Sequence, residues 1–218
     1  MAATARSTSA DTRILEPNFF RGNTYETRAR DATPQVRITD AVKHEHGELR
    51  SFADRILNST NPDEQTRFQN QFTWELARHY VGEELVVYPA LERHVEGGKD
   101  LADKDRREHQ GIREHLQEFQ DLNSTDPRFI PSLQRLMEDL RQHMDQENAH
   151  LVKLDEALSK DDSVGLTQRF DRTKAFVPTR AHPMTPQNLP FETAMGLMTA
   201  PIDYLSDMFR KWPSERPS

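Results

Sequence analysis

Residues 72–89 read FTWELARHYVGEELVVYP, and within them His79 and Glu83 stand four residues apart. In an α-helix, side chains four residues apart lie on one face. The apolar residues of the segment recur on that same face, which is the face that a bundle helix buries. Burying a lone charge in such a seam costs much free energy, and a bound metal ion would compensate it. The seam consists of Phe72, Leu76, His79, Glu83, Val86 and Ala90.

A second copy of this spacing lies further along the chain, at His143 and Glu147. It stands on an apolar stripe with the same helical period, made of Leu133, Leu136, Leu140, Leu154 and Leu158. Two such helices facing each other would bring two imidazoles and two carboxylates to one point in a bundle core.

The composition favours long amphipathic helices and restricts the chemistry of a metal site. Of the 218 residues, 34% are hydrophobic and 30% are charged, which suits helices better than a buried parallel sheet. The chain has no cysteine, so thiolate sites are excluded, and a His and carboxylate site suits iron, manganese or zinc. The net charge of −7 argues against a nucleic-acid partner.

The sequence shows neither a membrane-length apolar run nor a hydrophobic signal core. We therefore expect a soluble, cytoplasmic protein with no membrane partner.

The pattern of periodic and irregular stretches predicts an all-α fold in three parts. Residues 1–36 form an irregular N-terminal arm, residues 37–160 form an up-down-up-down four-helix bundle, and residues 161–218 form an extension that packs on the bundle. The predicted bundle helices run over residues 38–58, 62–95, 100–122 and 131–159.

Within the extension, we expect Asp161-Asp162-Ser163 to break the fourth helix and a short helix to follow over about 165–175. Four prolines then mark an extended crossing. A last helix over 191–210 should turn apolar side chains inward, either to pack on the bundle or to cover an opening to the metal. These side chains are Phe191, Met195, Met198, Ile202, Leu205 and Phe209.

The first and third helices each add one histidine to the buried seams. His46 follows Val42 by four residues and precedes Leu49 by three, so we predict it as a ligand and His44 as a surface residue. His109 lies three residues before the apolar Ile112.

Four other polar residues are predicted to lie outside the ligand set. His94 lies 15 residues after His79, about 22 Å along the helix axis, too far for one site. Glu84 is expected to support a ligand or lie at the surface, and His115 is expected to support a ligand or to pack. His150 is expected to hydrogen-bond a ligand or line a channel, although direct ligation stays open.

The inward polar set therefore holds four histidines and two glutamates. This inventory matches two adjacent metal ions, with nitrogen ligands at the ends and carboxylates able to bridge. A single zinc would use three or four of these residues and leave buried carboxylates unexplained. The set is His46, His79, Glu83, His109, His143 and Glu147.

These segments, in this order and spacing, resemble the hemerythrin-like HHE cation-binding family over residues 38–159. The resemblance implies a non-haem di-iron centre with the four histidines as terminal ligands and the two glutamates as bridges, in which manganese or zinc can replace iron. The segment PTRAHP at 178–183 looks like the tail of a fungal branch of that family.

The resemblance also shows a departure from the oxygen-carrying members. Those members have a second histidine four residues after the third-helix ligand, where this chain has Arg113, and an aspartate at i+5 where this chain has Glu147 at i+4. Reversible oxygen carriage is therefore not expected.

Two functions stay open. One is binding of iron and O2, or a related small oxidant, for sensing, storage or detoxification. The other is a di-iron oxidase or oxygenase acting on a small organic substrate, with a pocket lined by the Phe and Met residues of the tail.

Overall fold

The computed structural model describes residues 35–182 and 200–214, and these residues are organised as helices. Most of the predicted N-terminal arm, the proline-rich crossing and the predicted inward residues Phe191, Met195 and Met198 lie outside the described residues. The helices are α1 (Ile38–Asn58), α2 (Pro62–Gly82), a π-helical turn (Glu83–Val87), α3 (Tyr88–His94), α4 (Gly98–Gln120), α5 (Phe129–Ala157), α6 (Lys160–Lys174) and α7 (200–207).

The second predicted helix forms over residues 62–94 but is not uniform. It starts where Asn61 caps the helix, its side chain accepting a hydrogen bond from the Asp63 amide at 2.9 Å. The helix widens at the π-helical turn, where the Tyr88 amide donates to the Glu83 carbonyl five residues back. Pro89, the second residue after this turn, has no amide hydrogen for a regular α-helical bond.

The connection between α3 and α4 is tight because it uses two glycines. Gly97 has a φ of 69°, in the left-handed region that other residues rarely adopt. A Cβ at Gly98 would lie 1.9 Å from the Leu91 carbonyl oxygen. The helix that supplies His109 therefore starts at Gly98, earlier than the predicted residue 100.

The prediction that Asp161-Asp162-Ser163 breaks the fourth helix was wrong. These residues form the first turn of α6, where acidic side chains favour the helix dipole. Ser159 caps this helix, accepting a hydrogen bond from the Asp162 amide. The break lies at residues 158–159, so the helix predicted over about 165–175 begins at Lys160.

The apolar face predicted for the last helix was also wrong over its described part. Ile202, Leu205 and Phe209 are 67%, 60% and 84% exposed. The buried side of α7 instead carries Asp203 and Asp207, which accept hydrogen bonds from residues of the 178–182 segment. A buried polar network therefore decides which face packs, in place of hydrophobicity.

Four helices enclose the core, and α6 lies across one side of it. α1 packs on α2 and α5, α4 packs on α2 and α5, and α6 contacts α1, α2 and the π-helical turn. The buried apolar side chains form two clusters, one around Phe72 and Leu136 and one around Val42 and Leu151. A layer of buried polar residues lies between the two clusters along every helix of the core.

None of the helices built from residues 35–182 and 200–214 is long and apolar enough to cross a membrane.

Candidate metal centre

The six predicted residues meet in the polar layer between the two apolar clusters. All are at most 2% exposed, and each of the four core helices supplies at least one of them. The residues are His46 from α1, His79 from α2, Glu83 from the start of the π-helical turn, His109 from α4, and His143 and Glu147 from α5.

The carboxylate of Glu83 lies between two pairs of imidazoles. Its Oε1 is 3.0 Å from His79 Nε2 and 3.8 Å from His46 Nε2, whereas its Oε2 is 3.4 Å from His109 Nε2. Glu147 also reaches both pairs, because its Oε2 is 3.4 Å from His46 Nε2 and 3.8 Å from His143 Nε2. Each carboxylate is therefore placed where it could bridge two ions.

The imidazoles are grouped as two pairs that face the same space. The ring centroids of His46 and His79 are 4.9 Å apart, and those of His109 and His143 are 4.6 Å apart. Together with Glu83, each pair places its ligand atoms within 4.8 Å of one another. The Nε2 atoms of His109 and His143 are 3.0 Å apart, which suits two lone pairs directed at one cation.

Several side-chain atoms of this layer are buried without a hydrogen-bond partner among the described residues. They are His46 Nδ1 and Nε2, His79 Nε2, both carboxylate oxygens of Glu83 and both of Glu147. Their close approaches are not aligned as hydrogen bonds. Such atoms cost free energy unless something satisfies them. Nitrogen and carboxylate oxygen donors fit iron, manganese or zinc, so the residues present fit a metal centre.

Three further carboxylates orient the histidines from behind. The Nδ1 atoms of His79 and His109 lie 3.0 Å from Glu45 Oε2 and Glu84 Oε1, and that of His143 lies 2.9 Å from Glu108 Oε2. A carboxylate at Nδ1 fixes the ring and directs Nε2 toward a metal. The support follows chain order, because each carboxylate neighbours one candidate ligand in sequence and orients the histidine of the next core helix.

Arg113 stands four residues after His109, where the resemblance described above led us to look for a second third-helix histidine. Its guanidinium donates to Glu84 Oε1 at 3.0 Å and lies 5.1 Å from the centre of the Tyr80 ring. Glu84 therefore joins Arg113 to His109. Arg113 therefore does not contribute a ligand. It places a positive charge beside Glu84, the carboxylate that orients the candidate ligand His109.

The π-helical turn brings two residues to the centre that a regular helix would turn aside. Glu84 is 6% exposed, although it follows the buried Glu83 directly. Five residues after Glu83, the hydroxyl of Tyr88 lies 2.9 Å from His109 Nε2. Sequence reasoning missed Tyr88, and the available signal was the Pro89 that follows it.

The charges of the centre shift the pKa values of its groups. Burial opposes the charged imidazolium, but Glu83 and Glu45 outweigh it and raise the pKa of His79 to about 10. Glu83 and Glu84 likewise raise the pKa of His109 to about 9 against the effect of burial. Burial also opposes ionisation of Glu45, yet Lys174 and His79 lower its pKa to about 2. Without metal, the centre is a network of ion pairs.

The other histidines lie outside this network. His44 and His94 are exposed, and His115 is half-buried beside Asp139. His150 is buried with its Nδ1 2.8 Å from Asp105, so in the structure it bonds a carboxylate and is not among the inward atoms. Burial raises the pKa of Asp105 to about 6.

Comparison with known proteins gives two matches. The hemerythrin HHE cation binding domain matches residues 37–154. An uncharacterised hemerythrin-like protein of Schizosaccharomyces pombe is 49% identical over 180 residues, which cover 82% of this chain and 89% of that protein. No solved structure matches.

Proposed function

This chain belongs to the hemerythrin HHE cation-binding family, and on that premise we propose that it is a non-haem di-iron protein. Its function would be to take up O2 or a related small oxidant for sensing, storage or detoxification. The observation that carries the proposal is the convergence of four imidazoles and two carboxylates on one buried space, with seven buried polar atoms left without hydrogen-bond partners among the described residues.

The two pairs of imidazoles define how the residues would divide between two ions. His46 and His79 would hold one ion, His109 and His143 would hold the other, and Glu83 and Glu147 would bridge. When bound, an iron pair supplies two electrons for reaction with a small oxidant.

The chain's own residues supply orientation and shielding. The carboxylates behind His79, His109 and His143 accept hydrogen bonds at Nδ1 and so hold the proton on the side away from the centre. The two apolar clusters flank the layer and limit the access of water. The hydroxyl of Tyr88 lies beside His109 Nε2, where it could donate a hydrogen bond to a molecule that enters the centre.

Arg113 favours uptake of the oxidant without reversible oxygen carriage. This position holds an arginine in place of a fifth imidazole, and its guanidinium is hydrogen-bonded to Glu84. A coordination position would then stay available to the oxidant.

The short connections 59–61 and 95–97, together with the α1–α2 and α4–α5 contacts, support the up-down-up-down arrangement that the resemblance implies.

The path of the described tail favours binding over the alternative oxidase activity. Trp212 accepts from Arg67 through its carbonyl and packs edge-on against Trp74, and the Lys211 carbonyl accepts from Asn70. The tail thus follows the first half of α2, before His79, and its apolar residues Ile202 and Leu205 face solvent. These side chains do not line a substrate pocket at the centre.

Metal analysis on full-length protein tests the proposal. Protein purified without added metal should contain two iron ions per chain, with a visible absorption that bleaches on anaerobic reduction and returns in air. One zinc ion per chain with no visible band would refute the di-iron proposal. Release of stoichiometric peroxide during re-oxidation would favour the oxidase alternative.

A further inference from the structure

α6 lies beyond the matched domain, which ends at residue 154, yet it reaches the metal centre. It packs on α1, on α2 and on the π-helical turn that begins with Glu83. The matched stretch of the Schizosaccharomyces pombe relative covers 82% of this chain, and any contiguous stretch of that length includes α6. The contact between α6 and the centre is therefore a candidate feature of this longer form of the family.

The last residue of α6, Lys174, contacts the carboxylate behind His79. Its Nζ forms an ion pair with Glu45 Oε1, while Glu45 Oε2 lies 3.0 Å from His79 Nδ1. The Lys174 side chain is 8% exposed and that of Glu45 is 13% exposed. One ammonium thus holds one carboxylate oxygen, and the other oxygen faces the imidazole.

Two further contacts hold α6 against α2 near Lys174, Glu45 and His79. The Lys174 carbonyl accepts a hydrogen bond from Arg78 Nε at 2.8 Å, next to His79 in sequence. The ring of Phe170 lies edge-on to His79 with centroids 6.4 Å apart. The approach requires Gly82, since a Cβ there would lie 2.8 Å from Phe170 Cε2 and 3.3 Å from Lys174 Cγ.

We propose that Lys174 is a positioning residue for the metal centre and acts on the ligand His79 through Glu45. The inference rests on the proposed di-iron function. Without Lys174, the carboxylate of Glu45 would keep only its contact to His79 among the contacts described above. Pairing with Lys174 restricts it to the orientation that fixes the His79 ring. The ammonium also adds a positive charge behind the ligand, which disfavours the more highly charged ferric state.

Two substitutions of one residue separate charge from packing. Lys174→Met keeps an unbranched apolar chain and removes the charge, whereas Lys174→Arg keeps the charge. Lys160→Met is the matched control, because Lys160 lies on the same helix and is exposed. The full chain of each variant is titrated with iron(II) anaerobically, and the midpoint potential of the loaded protein is measured by a spectroscopic redox titration.

We expect Lys174→Met to weaken binding of one of the two ions by about tenfold. We also expect the equilibrium ratio of ferric to ferrous ion at a fixed potential to rise by about tenfold, which lowers the midpoint potential by about 59 mV per electron. Lys174→Arg and Lys160→Met should keep the wild-type values. In a Glu45→Gln background, Lys174→Met should cause no further loss of affinity, because the positioning effect passes through Glu45.

An unchanged affinity and potential in Lys174→Met would overturn the inference, as would equal losses in Lys174→Met and Lys174→Arg. If Lys174→Met does not fold, as judged by thermal unfolding of the apo protein, Glu45→Gln and Lys174→Arg decide the question by the same two measurements. Wild-type protein that fails to bind two iron ions would refute the proposed function itself. Wild-type protein that binds two ions, beside an unaffected Lys174→Met, would refute only the role of Lys174.

Discussion

Metal uptake by the apo protein should release protons, and the number released follows from the ion pairs of the centre. The pKa values of His79 and His109 are about 10 and about 9. At pH 7.5 both imidazoles are therefore protonated before metal arrives. A ligating imidazole must be neutral, so at least two protons leave when the centre fills.

This proton release makes the apparent affinity steep in pH. Each released proton changes the apparent association constant about tenfold per pH unit, so two protons change it about 100-fold between pH 7 and pH 8. The sign follows from competition between the metal and protons for the same nitrogens. Affinity rises less steeply once the pH passes the pKa of His109, and it stops rising when the pH passes the pKa of His79.

Calorimetry with cobalt(II), which stays divalent under anaerobic conditions, measures the number directly. Titrations at pH 7.5 in two buffers of different ionisation enthalpy give the protons released per chain. His79→Ala should release about one proton fewer than wild type, because its raised pKa makes it one of the two donors. His44→Ala is the matched control, since His44 is exposed and outside the centre. Tight cobalt binding without proton release would show that the apo imidazoles are neutral, and would refute the ion-pair account of the centre.

Three other predictions concern iron content, packing and pH. His143→Ala should lose most of the bound iron, whereas His44→Ala should keep it; elemental analysis decides, and full retention in the first variant would remove α5 from the centre. Gly82→Ala should lower the free energy of unfolding by about 1–3 kcal/mol in chemical denaturation, because its Cβ would meet Phe170 at 2.8 Å; an unchanged stability would mean that α6 shifts without cost. The raised imidazole pKa values stabilise the apo fold fully below the unfolded value of about 6.5, and this stabilisation is lost as pH rises through about 9 to about 10. The thermal midpoint of the apo protein should therefore fall between pH 7 and pH 10, and a constant midpoint would contradict the argument.

The core helices and their inward residues could be predicted because one physical rule decides them. A helix of the core needs an apolar face of period 3.6, and a polar residue on that face is an exception that stands out. His46 was separated from His44 on this ground alone, and the structure buries the first and exposes the second. The start of α2 could be predicted from two neighbouring residues, because Asn61 is a helix cap and Pro62 is favoured in the first helical turn.

The outer features of the site could not be read from a regular helix. Glu45, Glu84 and Glu108 neighbour ligands in sequence but orient histidines of other helices, which depends on how the helices pack. Tyr88 reaches the centre only because the helix widens before it. The prediction of the buried face of α7 was wrong for a related reason. The hydrogen bonds of Asp203 and Asp207 decide which side of the helix is buried, and the spacing of its apolar residues does not.

The π-helical turn also leaves room for a change in chain length. A turn with i+5 hydrogen bonds holds one residue more than an α-helical turn. Deleting a single residue from 84–87 would remove that extra residue and let the helix over 62–94 become regular, while the residues after the turn keep nearly the same phase relative to α2. Alignments of related chains should therefore tolerate one missing residue between Glu83 and Pro89, since a chain one residue shorter there would hold the same ligands on a regular helix of the same phase.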